Sequence, residues 1–146
     1  MAHNFHKELS QQFDIKGIHL EEAKWRAQGE NLKNHTQQFK ENGFTVSSSY
    51  HEPEDLIAQT VTFDYTILSP VFAAISKSDM QGRGFDVRGI DKLIVGMGGI
   101  NTETTPQAVT LGFQGVGALG GIWNATDPVE AFIGMKMAFE EAIQGK

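Results

Sequence analysis

The 146-residue chain has no cysteine. That excludes a disulfide framework and any thiolate-bound metal, and it fits a reducing compartment. Basic residues are in deficit: twelve Lys and Arg against eighteen Asp and Glu, a net charge of −6. No basic run offsets this, which argues against nucleic acid as the main partner. Long hydrophobic runs are missing too. No apolar stretch reaches the ~18 residues needed to cross a bilayer, and the opening MAHNFHKELSQQF lacks the basic-then-apolar plan of a signal peptide. The expectation is a cytoplasmic protein with no membrane partner. There is no Pro/Ser/Gly linker and no low-complexity tract, so residues 1–146 read as a single domain. At 40% hydrophobic and 21% charged, its composition supports one core.

What is present is glycine, sixteen residues in all, mostly late in the chain. Strand and helix patterns alternate around it. Phe5, Leu9 and Phe13 stand at helical spacing and predict a helix over 5–13. Strands are predicted over 15–20, 44–49, 63–72, 92–97 and 114–119. Helices are predicted over 30–42, 52–61 and 106–111, the last closed by Gly112. The final helix has the clearest start: Asp127 as cap, Pro128 at the first position and Glu130 at capping-box spacing. Its stripe of Phe132, Met135, Phe139, Ala142 and Ile143 reads as core packing.

Alternation of this kind implies parallel pairing. At roughly 30 residues per βα unit, the length holds about five units. A closed eight-stranded barrel usually takes ~200 residues or more. The pattern by itself therefore leaves two architectures open, a small doubly wound sheet and a barrel short of its first units, and it leans to the former.

The strand ends carry the chemistry. Asp64 to Phe72 (DYTILSPVF) runs on to Ser76-Lys77; Leu93 to Ile100 reads LIVGMGGI, and Gly115 to Ile122 reads GVGALGGI. Parallel α/β proteins bind ligands at the carboxyl ends of their strands. Two successive strands ending in paired glycines point to a phosphate held by bare backbone N–H groups.

Taken in order, Lys16 to Leu20 (KGIHL), Val46 to His51 (VSSSYH), Asp64 through Lys77, Gly98-Gly99-Ile100, Gly115 to Ile122 and Asp127-Pro128 resemble the thiamine phosphate synthase family, which also includes thiazole tautomerases. The resemblance covers essentially the whole chain. It implies a TIM-barrel type α/β fold of βα repeats, here a partial (β/α)8 barrel lacking its N-terminal units. It also implies a transferase that joins aminopyrimidine methyl diphosphate to thiazole phosphate and releases diphosphate, and hence small phosphorylated substrates.

By position in that pattern, Lys77, Ser76 and Ser49 are the catalytic candidates. Asn4, Gly98, Gly99, Leu119 and Gly120 are the substrate- and phosphate-binding candidates. Four substitutions depart from the family. Gly120 stands where the family commonly has Ser, so only backbone donation survives there. Ala74 stands where a Thr hydroxyl is expected. The two Mg²⁺-ligating Asp positions are Phe5 and Lys24, with Glu21 and Glu22 nearby as substitute ligands, so Mg²⁺ is implied by the family but poorly supplied here. Tautomerases place a proton-moving His where Pro70 stands, which favours the synthase branch.

Arg83, within Gly82-Arg83-Gly84, reads either as an anion clamp or as part of an exposed flexible loop, and the latter is favoured. His51 reads as a helix cap, and His3, His6 and His35 as surface residues. A five-unit partial barrel leaves two open sheet edges, so a homodimer covering them is expected.

Overall fold

The computed structural model describes residues 8–72 and 83–145. Residues 8–12 are helical, as expected for the start of the chain. There follow β1 (Gly17–Leu20), α1 (Glu22–Gln28), a 3-10 turn (Gly29–Asn31), α2 (Leu32–Glu41), β2 (Thr45–Tyr50), α3 (Pro53–Ala58), β3 (Tyr65–Leu68), β4 (Ile94–Met97), α4 (Thr105–Thr110), β5 (Gly115–Gly117), α5 (Gly120–Trp123) and α6 (Pro128–Gln144).

All five strands are parallel and lie in one sheet in sequence order, β1-β2-β3-β4-β5. That order decides between the two architectures. A doubly wound sheet reverses direction at a switch point; this sheet does not reverse. The register Ser48↔Thr66↔Ile94 and Tyr50↔Leu68↔Gly96 fixes two faces. Ile18, Leu20, Val46, Tyr50, Leu68 and Ile94 on one face are buried, in one cluster with Trp25, Leu32, Leu56, Ala108 and Met135 from the helices. On the other face His19 and Tyr65 are exposed, and Ile67, Val95 and Met97 are only half-buried. One covered face and one uncovered face are the arrangement of a barrel segment, whose inner wall the uncovered face would form.

The inner wall alternates small and large residues. A Cβ on Gly17 would stand 2.1 Å from Thr45 Oγ1, and one on Gly117 would stand 2.9 Å from Met97 Cγ. The larger neighbour therefore fills the space that each glycine leaves. At the amino-terminal ends of the strands, Lys92 Nζ donates to the carbonyls of Leu56 and Gln59 and so closes the C-terminal end of α3. Burial there lowers its pKa from the ordinary lysine value.

Two expectations need correction. The helix predicted over 30–42 is preceded by α1, whose Trp25 is buried; the acidic start of this segment hides its single apolar anchor. The α6 stripe is core only in part. Met135 is buried, but Phe132 is 51% exposed and Ile143 42%, because nothing among the described residues lies against that side of the helix.

Candidate functional site

The carboxyl ends of β1, β2, β3 and β4 surround an open cleft of about 650 Å³, lined by His19, Glu21, Ser49, His51, Ser69 and Met97 among others. The pleat explains the composition. His19, Ser49, Ile67 and Met97 all belong to the inner-wall face, so alternation alone delivers them to one side.

Each wall is held by a polar contact. His19 Nδ1 lies 2.8 Å from Ser47 Oγ across the β1–β2 pair. Burial against the sheet lowers its pKa from the ordinary 6.5, with Glu21 opposing, so the ring is neutral near pH 7. Trp25 Nε1 donates to the Ser49 carbonyl at 3.0 Å and fixes the end of β2 from behind. His51 does not cap α3, which has no side-chain cap. Its Nδ1 instead lies 3.1 Å from the Ser69 carbonyl and ties the ends of β2 and β3 together. Because a carbonyl can only accept, that nitrogen carries the proton, and in the neutral ring Nε2 is left as the acceptor.

Arg83 is not in a free loop. It pairs with Glu52 at 2.8 Å, donates to the His51 carbonyl at 3.1 Å and stacks 4.8 Å over the Phe85 ring. Arg26 is likewise engaged by Glu22 at 2.8 Å and Asp55 at 2.6 Å. Both arginines at the mouth therefore have carboxylate partners.

The glycine turn after β4 is built tightly. Gly98 has φ +100° and Gly99 +63°, a region that favours glycine. A Cβ on Gly98 would fall 2.7 Å from Pro70 Cα. Beyond Pro70, Val71 N–H donates to the Met97 carbonyl and Phe72 N–H to that of Gly98, so the β3 end is laced onto this turn. Thr104 Oγ1 donates to the Gly99 carbonyl at 2.8 Å, and Asn101 and Thr104 exchange backbone-to-side-chain bonds at 2.9 Å. The second glycine segment meets the first: a Cβ on Gly121 would fall 2.0 Å from the Ile100 carbonyl oxygen. The glycines seen in the sequence are thus one junction between the β4 and β5 ends. Gly120 opens α5 there, and Leu119 precedes it, 63% exposed.

Of the catalytic candidates, Ser49 lines the cleft, while Ser76 and Lys77 lie outside the described residues, as do Asn4, Phe5 and Ala74. Glu21 lines the cleft and Lys24 lies exposed on α1. The pairing of His19 with Ser47 and the roles of Trp25 and Ser69 were not anticipated. Period-two counting along VSSSY and GIHL puts Ser47, Ser49 and His19 on one face, but which serine stands beside His19 is set by the β1–β2 register. Trp25 carried no comparable signal.

The carboxylates that could replace the family's Mg²⁺ ligands are Glu21 and Glu22, at the start of α1. Glu22 Oε1 is taken by Arg26 at 2.9 and 2.8 Å. Among the described residues no group of three His, Asp or Glu side chains converges on one point. Of the two substitute carboxylates, Glu21 is the one on the cleft that Arg26 does not hold, and a Mg²⁺ bound through one carboxylate and substrate phosphates would use it.

No family model matches this sequence, and no curated protein matches it significantly. Solved structures do match in fold. Thiamine phosphate pyrophosphorylase from Pyrococcus furiosus superposes with a TM-score of 0.69 at 19% identity, covering 92% of this chain and 64% of that one. The Bacteroides thetaiotaomicron thiamine phosphate pyrophosphorylase gives 0.56 at 21%, covering 91% and 66%. A structure described as native KDPGal gives 0.53 at 18%, covering 77% and 55%. The chain therefore spans somewhat less than two thirds of the first two proteins. No described helix is long and apolar enough to cross a membrane. Over 92% of its length the chain has the thiamine phosphate pyrophosphorylase fold, a TIM-barrel type run of βα units with five described strands.

Proposed function

We propose that this chain binds a phosphorylated thiazole at the junction of the β4 and β5 ends and serves a thiamine phosphate synthase-like transfer of an aminopyrimidine methyl group, with release of diphosphate. The observation that supports this most is the Gly98-Gly99 turn. Its positive φ angles call for glycine at both positions, so the turn carries no side chain of its own where a phosphate would meet backbone N–H groups.

In such a transfer the carbon–oxygen bond to diphosphate breaks with its electron pair leaving on oxygen. The ring nitrogen of the thiazole then forms the new carbon–nitrogen bond. No protein nucleophile is required, so the chain's task is positioning and charge stabilisation. His19 and Ser49 on the inner wall would contact the aminopyrimidine, and His51 Nε2 is a further acceptor at the mouth. Lys77 and Ser76 are proposed to face the diphosphate. Positive charge for the leaving group would come from Lys77 and Lys24.

Pro70 on the glycine turn offers no titratable group, which counts against tautomerase chemistry. One observation favours a second reading, a phosphate-binding relative without turnover: Arg26 and Arg83 are both already paired with carboxylates. Diphosphate release from the two substrates, followed with and without Mg²⁺, separates the two. Release that Lys77→Ala abolishes supports the transferase. Thiazole phosphate binding without release supports the second reading.

A further inference from the structure

Strand β2 is paired on both sides, and its hydrogen bonds alternate. Thr45 N–H donates to the Lys16 carbonyl at 3.0 Å, while the Val46 and Tyr50 carbonyls accept from the Asp64 and Ser69 N–H groups at 2.8 and 3.2 Å. Odd-numbered residues of β2 therefore turn their backbone groups to β1, and even-numbered ones to β3. The β1–β2 pairing ends at Leu20↔Ser48, and α1 begins at Glu22. Ser49 is odd-numbered, so its carbonyl points to the β1 side where β1 has already ended. The Trp25 indole N–H takes that carbonyl at 3.0 Å. It stands in for the N–H that a longer β1 would have offered.

The indole is itself held in place. Trp25 is buried, and its ring centre lies 5.1 Å from that of Tyr50. The Arg26 guanidinium lies 4.5 Å over the indole ring. Glu22 on α1 and Asp55 on α3 in turn hold that guanidinium. Ser48 and Tyr50 turn to the covered face and are buried, whereas Ser49 between them lines the cleft. One residue thus has its carbonyl fixed from the helix layer and its side chain on the inner wall. A Phe would also fill the core slot of Trp25 with apolar surface, but without a donor for the cleft end of β2.

We infer that Trp25 is a positioning residue, whose indole N–H sets Ser49 for its contact with the aminopyrimidine. The identity of that ligand rests on the transferase reading above; the hydrogen bond does not. The test joins NMR of the 146-residue chain to binding of aminopyrimidine methyl diphosphate by the wild type, Trp25→Phe, Ser49→Ala and the double variant. In the wild type the Trp25 indole N–H should exchange with solvent far more slowly than that of Trp123, which is 69% exposed. Trp25→Phe should move the Ser49 carbonyl-carbon resonance and weaken binding about fivefold, with the amide resonances of β4 and β5 in place. Added to Ser49→Ala, it should weaken binding no further, because both changes act through one side chain. A merely structural tryptophan would give losses that add. Equal exchange of the two indoles overturns the inference without any variant. So does a Ser49 resonance that stays put, wild-type affinity in Trp25→Phe, or additive losses; each leaves the transferase reading standing. A wild type that does not bind the diphosphate overturns that reading, and the contact assigned to Ser49 falls with it.

Discussion

At the residue scale Gly98 and His19 hold the two sides of the cleft region, one through its backbone and one through its ring. Gly98 has φ +100° and no room for a Cβ beside Pro70. Gly98→Ala is expected to destabilise the fold by about 1–3 kcal/mol, read as a lower urea midpoint at unchanged slope. His19 sets a pH dependence whose sign follows from its environment. Its pKa in the folded chain lies below 6.5, so the unfolded chain holds the proton more readily. Stability is then full above about pH 6.5 and falls as the pH drops toward the folded value. Urea midpoints between about pH 5 and 8 should show this fall, and His19→Gln should flatten it.

These residues differ in how far they could be read from the sequence. Gly98 and Gly99 were legible as a tight turn at a strand end, and their positive φ angles agree with that. The pairing of His19 with Ser47 was not, because it depends on the β1–β2 register, which no single segment encodes. His51 was assigned to the wrong partner for the same reason: its hydrogen bond goes to Ser69, eighteen residues away, rather than to the helix that follows it.

At the element scale, local signals fared well where they were self-contained. Asp127 Oδ1 accepts from the Val129 and Glu130 N–H groups at 3.1 Å each, with Pro128 at the first helical position, as the sequence predicted. Asp127→Ala is expected to cost about 1 kcal/mol, seen as a lower thermal midpoint with unchanged helicity at low temperature. Helix α1 was missed because four of its seven residues are polar, two are alanine and only Trp25 reaches the core. The third strand was drawn too long. Its apolar run continues past Leu68, but Ser69-Pro70 turns the chain onto the glycine turn of β4.

At the scale of the whole molecule, strand order was the property that sequence pattern could not supply. Five alternating units are compatible with either winding. Only the β1-β2-β3-β4-β5 order, with helices packed on one face, identifies a barrel segment. That winding gathers residues far apart in sequence at one end of the sheet, and the proposed phosphate site depends on it. The most direct measurement is an amide NMR titration of the chain with thiazole phosphate. The account predicts saturable shifts centred on the N–H groups of Gly98, Gly99, Gly120 and Gly121, lost in Gly98→Ala under conditions where that variant remains folded. Shifts centred elsewhere, or none at saturating ligand, would contradict it.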